Sequence, residues 1–263
     1  MRVHMIRLGT SGFSYPDWVG PVYPEELPEK EWLGFYAAQF STVELNVTFY
    51  RLPTNRNIDA WLRKTPDDFR FSVKAFRGLT HEREEPDFRA FSESVKPLVE
   101  AGKLGCILAQ FPNSFHPVPE NKEYLKKFRA ELEDFPLVAE FRHSAWAKEE
   151  TLQMLRDLTV GYCCVDEPNL RGLMPPTSVV TSPIGYIRFH GRNAAHWYDH
   201  KDPAERYDYE YTKEELEEWI PKIQQVDEEA KETYVYFNNH PHGHGVAGAK
   251  VLGKLLKIER REE

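Results

Sequence analysis

The chain alternates between short apolar runs and longer amphipathic stretches, and the alternation repeats from end to end. Eight runs read as strands: Met5–Leu8, Thr42–Asn46, Phe69–Lys74, Leu104–Phe111, Leu137–Arg142, Val160–Asp166, Ile184–His190 and Thr233–Phe237. A short, nearly continuous apolar run bounded by turn signals marks a strand covered on both faces. Between these runs, apolar residues recur at helical spacing over Glu29–Phe40, Asn57–Lys64, Phe88–Ala101, Asn121–Leu132, Glu149–Leu158, Thr212–Val226 and Val246–Ile258. Thr212 and Glu215 have the spacing of a capping box. Pro97 falls inside the fourth strand's preceding helix and marks a place where that helix can break.

Strand then helix, repeated, implies a parallel sheet with right-handed crossovers. Eight such units in 263 residues predict a single (β/α)8 TIM-type barrel, which typically takes about 250 residues. An open sheet is the alternative that alternation alone leaves standing. No linker, fixed-period repeat or low-complexity tract divides the chain, so residues 1–263 read as one domain.

Composition narrows the function classes. The net charge is -8 and there is no basic block, which argues against duplex nucleic acid, where affinity comes from neutralising phosphates. No apolar stretch approaches the ~18 residues of a membrane span. Met1–Gly9 lacks the long apolar core and small-residue cleavage site of a signal peptide. The three cysteines, Cys106, Cys163 and Cys164, lie in strand-like runs and offer no disulfide framework. A cytoplasmic protein is therefore expected. The oligomeric state is not legible.

In a barrel of this type the site is built at the C-terminal strand ends. The residues there are Ser11, Glu44 with Asn46, Lys74, Gln110, Glu140 with Arg142 and His143, Asp166, His190, and Asn238 with Asn239. Each alone has an ordinary structural explanation; eight polar ends facing one mouth point to a ligand site. Glu44 and Glu140, on the second and fifth strands, are placed to face each other, and paired carboxylates are the equipment of glycoside hydrolysis. With His190 as a second proton-transfer group, they form the candidate catalytic set. Lys74 and Arg142 would anchor a phosphate or carboxylate and keep nearby carboxylates ionised. Asn46, Tyr50, Gln110, His143, Trp146, Asn238 and Asn239 complete the candidate ligand-binding set. Trp18, Tyr50, Phe111, Trp146 and Tyr198 lie just beyond strand ends, where ring faces suit sugars or planar ligands.

No metal or other cofactor is expected. The rival is a divalent ion on Glu140, Asp166 and His190, against which the positive charges of Lys74 and Arg142 stand. His240, His242 and His244 have metal-tract spacing but sit in a Pro/Gly-rich turn.

Six blocks carry a family resemblance: GTSGFSYPDW (Gly9–Trp18), TVELNVTFYRLP (Thr42–Pro53), FSVK (Phe71–Lys74), EFRHSAW (Glu140–Trp146), RFHG (Arg188–Gly191) and VYFNN (Val235–Asn239). With these the chain resembles the YecE-like family, also called domain of unknown function 72, over nearly its whole length. The resemblance implies a (β/α)8 barrel and no particular reaction. One departure is Asn113 in QFPNSF, where the family more often has a second proline; Gln110 is in place.

The preferred reading is an enzyme using hydrolase- or isomerase-like acid/base chemistry on a small polar, anionic or sugar-like ligand at the barrel mouth. The rivals are a metal-dependent hydrolase or isomerase, and a non-catalytic barrel that binds or senses a small molecule.

Overall fold

The eight apolar runs form eight parallel strands: β1 (Ile6–Thr10), β2 (Thr42–Leu45), β3 (Arg70–Lys74), β4 (Leu104–Gln110), β5 (Leu137–Glu140), β6 (Gly161–Asp166), β7 (Ile184–Phe189) and β8 (Glu232–Phe237). They follow the order β1-β8-β7-β6-β5-β4-β3-β2 in a computed structural model that describes residues 5–258. Residues 1–4, part of the stretch read for a signal peptide, and residues 259–263 lie outside the described residues. The seam between β1 and β2 is closed by a parallel bridge, Ser11 to Glu44, with the Gly12 amide donating to the Glu44 carbonyl at 2.8 Å. A β-carbon at Gly9 would come within 2.3 Å of the Thr42 carbonyl oxygen, so only glycine lets the two edge strands meet. The architecture is a single (β/α)8 TIM-type barrel, nearly closed.

The helical layer is made of α1 (Trp32–Ala37), α2 (Val47–Tyr50), α3 (Asn55–Arg63), α4 (Phe88–Glu100), α5 (Pro119–Glu131), α6 (Glu149–Asp157), α7 (Lys213–Glu217), α8 (Ile220–Glu229) and α9 (His244–Leu255). α4 continues through Pro97. The break comes elsewhere: the expected helix from Thr212 divides into α7 and α8, with Pro221 in the first turn of the second. Proline is tolerated there because that turn's N–H groups have no helical partner. The Thr212–Glu215 capping box forms as its spacing predicts. α2 is a helical turn directly after β2. Among the described residues no helix is long and apolar enough to cross a membrane.

Contacts between strands that are not neighbours identify the inner face of the barrel. Tyr236 reaches Ser72 at 2.9 Å and Thr42 at 2.5 Å, and Tyr186 donates to Glu44 at 2.7 Å. Inward positions therefore include Thr42 and Glu44, Ser72 and Lys74, and Tyr186, Arg188 and His190, spaced by two as a pleated strand requires. Barrels of this type usually fill their interior with branched aliphatic side chains. This one is lined by hydroxyl and charged groups that satisfy each other.

Candidate active site at the barrel mouth

The deepest element of the mouth is Arg188, in the last turn-free stretch of β7 and 1% exposed. Its Nη2 donates to Glu44 Oε1 at 2.7 Å, Ser11 Oγ at 3.2 Å and Asn238 Oδ1 at 3.1 Å. Its Nη1 donates to Glu140 Oε2 at 2.5 Å. Glu44 and Glu140 are both fully buried. They do lie on opposite sides of the mouth, as their strand positions predict, but a guanidinium fills the gap between them. Buried charges persist only when paired in this way, and losing one partner is costly.

Glu140 is the most heavily held group. Burial alone would raise its pKa, but Arg142, Arg188 and His190 outweigh burial and hold it well below the ordinary carboxylate range. It is thus suited to act as a base, nucleophile or charge anchor, and not as a proton-donating acid. Arg142 Nε and His190 Nε2 lie 2.7 and 3.2 Å from Glu140 Oε1. Neither N–H points along the line to that oxygen; the arginine contact is an ion-pair approach and the histidine contact a polar one. Glu140 Oε1, Arg142 Nε and His190 Nε2 are all buried and make no hydrogen bond among the described residues.

His190 is pushed down to about 3 by burial first and then by Arg142, with Glu140 opposing. It is neutral at physiological pH. Its Nδ1 is 3.1 Å from Asn238 Nδ2. Because Arg188 can only donate, Asn238 must present its carbonyl to Arg188 and its NH2 to His190. The imidazole therefore accepts at Nδ1 and carries its proton on Nε2, on the side of Glu140.

Above this buried tier stand side chains that solvent reaches in part: Asn46, Lys74 and Arg142. Lys74 Nζ lies 4.4 Å over the Phe49 ring. Burial, then the charge of Arg188, lowers Lys74 to about 7, against a weaker upward pull from Glu140. Among the described residues no carboxylate comes within ion-pair distance of it. Gln110 pairs in register with Glu140, which puts it on the inner face, and its amide donates to the Phe111 carbonyl at 2.7 Å. The segment 192–211 carries a short 3-10 turn at Pro203–Tyr207, which brings the Tyr207 ring to 6.1 Å from His190.

Several candidates are placed elsewhere. Asp166 faces the helical layer, where Tyr211 and Trp219 donate to it, each at 2.6 Å, and Arg192 at 2.8 Å. The trio Glu140, Asp166 and His190 is therefore not assembled. Among the described residues no group of three or more His, Cys, Asp or Glu side chains is arranged to hold a metal ion. Trp146 is buried in a stack with Phe115 and Phe141 and donates to the Phe115 carbonyl. His143 caps a short turn through its Nδ1 and sits edge-on to His116. Asn239 points away from the mouth and holds the Tyr209 carbonyl at 2.8 Å. Tyr50 is 69% exposed on the rim. Of the histidine tract, His240 stacks on Tyr15 while His242 and His244 approach Asp208 at 4.0 and 3.3 Å.

Two participants were missed. Arg188 lies inside an apolar strand, two positions before His190; counting back by two from that histidine would have found it. Glu167 follows Asp166 and takes the inward place. Its Oε1 accepts from the Met174 amide at 2.7 Å, and its Oε2, buried and without a hydrogen bond among the described residues, is 3.8 Å from Arg142 Nη1. Burial raises Glu167 to about 7, against the pull of Arg142.

This mouth can be set beside known proteins. A sequence profile described as "Protein of unknown function DUF72" matches residues 7–263. The chain belongs to the DUF72 family. It is 33% identical over 273 residues to the UPF0759 protein YunF of Bacillus subtilis, covering 97% of this chain and 96% of that one. It is 32% identical over 160 residues to the UPF0759 protein YecE of Escherichia coli, covering 57% of this chain and 54% of that one. The crystal structure of a DUF72 family protein from Thermotoga maritima superposes with a TM-score of 0.90 at 42% identity, over 97% of this chain and all of that one. The DUF72 assignment agrees with the YecE-like blocks, and those blocks supply most of the mouth: Glu44, Asn46, Lys74, Glu140, Arg142, Arg188, His190 and Asn238.

Proposed function

We propose that this DUF72 protein is an enzyme that takes a small anionic ligand at the barrel mouth and moves a proton on it. The observation that carries the reading is the cluster of Glu140 Oε1, Arg142 Nε and His190 Nε2. Arg142 Nε and His190 Nε2 converge on Glu140 Oε1 at 2.7 and 3.2 Å, and none of these three buried atoms makes a well-aligned hydrogen bond among the described residues. A buried polar atom left unpaired costs about 1–3 kcal/mol, so such a cluster is kept where something bound can satisfy it. The sign of the ligand follows from the surrounding charge. Arg188 already serves Glu44 and Glu140, whereas Lys74 has no counter-ion among the described residues and Arg142, whose Nε is 2.7 Å from Glu140, reaches Glu167 only at 3.8 Å.

The roles divide by pKa. Glu140 stays ionised and balances the charges of Arg142 and Arg188. Glu167, poised near neutrality, is the group that can both give and take a proton, and carboxyl groups whose environments push them apart in this way make acid/base pairs. Glu44 is the counter-charge that keeps Arg188 in place. Arg142 anchors the anion, and Asn46, Gln110 and Asn238 orient it. A sugar acid or a small carboxylate fits this description; a neutral sugar uses the charges less well.

Thermal unfolding with sulfate and with pyruvate tests the reading. Both should raise the melting temperature in a saturable way, because a ligand that binds only the folded state adds about 2.7 kcal/mol of stability at a hundred times its Kd. Arg142→Met should shift the midpoint concentration upward. A parent protein whose melting temperature is indifferent to both anions, at constant ionic strength, rules the reading out.

A further inference from the structure

We propose that Lys74 is a nucleophile that forms an imine with the carbonyl carbon of a small oxo acid, which makes a 2-oxo carboxylate the substrate class of this mouth. The carboxylate half of that substrate rests on the anion reading above; the imine does not.

The geometry comes first. Lys74 is the last residue of β3, on the inner face, where reactive groups of such barrels stand. Most lysines on a protein carry their ammonium in water or against a carboxylate. Lys74 does neither. Its Nζ lies on the face of Phe49, and among the described residues it has no ion pair and donates no hydrogen bond. Thr48 fixes the strand end from below, its hydroxyl donating to the Lys74 carbonyl at 2.7 Å and so holding the amine's base in place. Of its charged neighbours Arg188 acts most strongly, followed by Glu140 in the opposite sense and then by Arg142 and Glu44.

The electrostatics agree with the geometry. Burial and the guanidiniums bring Lys74 to about 7, so near neutral pH much of it is free amine, roughly a thousandfold more than for an ordinary surface lysine near 10.4. A lysine desolvated beside other cations is the usual form of an activated amine. His81, on the adjoining turn, faces the Phe49 ring at 4.8 Å and is itself pushed down to about 4 by burial and then by Lys74, so it adds no positive charge.

The step balances without a further reagent. The Lys74 nitrogen lone pair forms the C–N bond while the carbonyl π pair moves to oxygen. The carbinolamine oxygen then leaves as water with the two protons the amine supplied, and the C=N bond remains. Arg142 holds the substrate carboxylate.

Reductive trapping tests the proposal on the intact protein. Pyruvate and sodium cyanoborohydride at pH 7, followed by peptide mapping, should place a single carboxyethyl group on Lys74, at least about tenfold faster than on any other lysine. The rate should follow a titration near pH 7, and Lys74→Arg should remove the fast label. Acetone, which lacks the carboxylate, separates the two readings. Fast pyruvate labelling with slow acetone labelling supports both. Equally fast labelling keeps the imine and removes the anion anchor. Labelling of Lys74 by pyruvate no faster than that of surface lysines, or a fast label that survives Lys74→Arg, overturns the imine.

Discussion

Asn238 presents its NH2 to His190 Nδ1 at 3.1 Å, because its carbonyl is already taken by Arg188. One donor-only side chain thus decides which nitrogen of a buried imidazole bears the proton. The order runs from Arg188 through Asn238 to His190 and leaves the Nε2–H beside Glu140.

This relationship makes a spectroscopic prediction. Nitrogen NMR should find His190 as the neutral Nε2–H tautomer from pH 8 down to the acid limit of the fold. In Asn238→Asp the new carboxylate can only accept, so the proton should move to Nδ1 or the ring should become charged, and its titration should shift upward. An Nδ1–H tautomer in the parent protein would contradict the hydrogen-bond order.

Arg188→Met leaves Glu44 and Glu140 buried without their shared counter-charge. The expected loss is about 3–5 kcal/mol, as for other broken buried pairs, read as a lower urea midpoint. Arg188→Lys should recover only part of this, since one ammonium cannot span two carboxylates, Ser11 and Asn238. A substitution costing less than about 1 kcal/mol, within the range of exposed pairs, would show that the carboxylates find other partners.

The fold was legible because every strand of the barrel is a buried run, and eight such runs separated by helical periodicity leave few architectures. The inner face of the mouth was legible at Glu44, Lys74, Gln110, Glu140, His190 and Asn238, all of which meet there. Two of the errors share a physical cause. Successive side chains on a strand point to opposite faces, so a one-residue misplacement exchanges inside for outside. Asp166 was chosen where Glu167 is inward, and Asn239 was added beside Asn238. Arg188 escaped because its neighbours in IGYIRFH are apolar, although it sits in phase with His190. Trp146 was read as a ring for a ligand; its aromatic surface is spent on Phe115 and Phe141.

Stability should depend on pH through Lys74 and His190. The unfolded lysine titrates at 10.5 and the folded one at about 7. Between those values the unfolded chain binds more protons, so Lys74 makes the protein gain stability as pH rises from 7 toward 10.5, by at most about 1.4 kcal/mol per unit. Lys74→Met should lack that contribution. His190, at about 3 folded and 6.5 unfolded, acts likewise, and its contribution is lost as pH falls from 6.5 toward 3. Glu167 opposes it between 4.5 and about 7, where the folded state is the one that keeps its proton. Urea midpoints of parent and Lys74→Met across pH 7 to 10 check the lysine contribution by difference.

Glu140→Gln should separate chemistry from binding. Gln keeps the shape but loses the charge, which frees Arg142 for an incoming anion. Sulfate affinity should therefore hold or rise, while conversion of any substrate found should fall by orders of magnitude. Weaker sulfate binding in a folded Glu140→Gln protein would mean that the carboxylate holds Arg142 in its binding position.

The central claim, that an anion binds beside Lys74 and Arg142, is met most directly by calorimetric titration with sulfate in two buffers of different ionisation enthalpy. Sulfate does not titrate near neutrality, so any protons exchanged belong to the protein. An anion beside Lys74 favours its charged form. At pH 7.5 binding should therefore take up a fraction of a proton per chain, and Lys74→Arg should bind sulfate with less uptake, the remainder belonging to Glu167, whose neutral form an anion on Arg142 also favours. Sulfate that does not bind, or that binds equally well to Arg142→Met without proton uptake in the parent, would contradict the account.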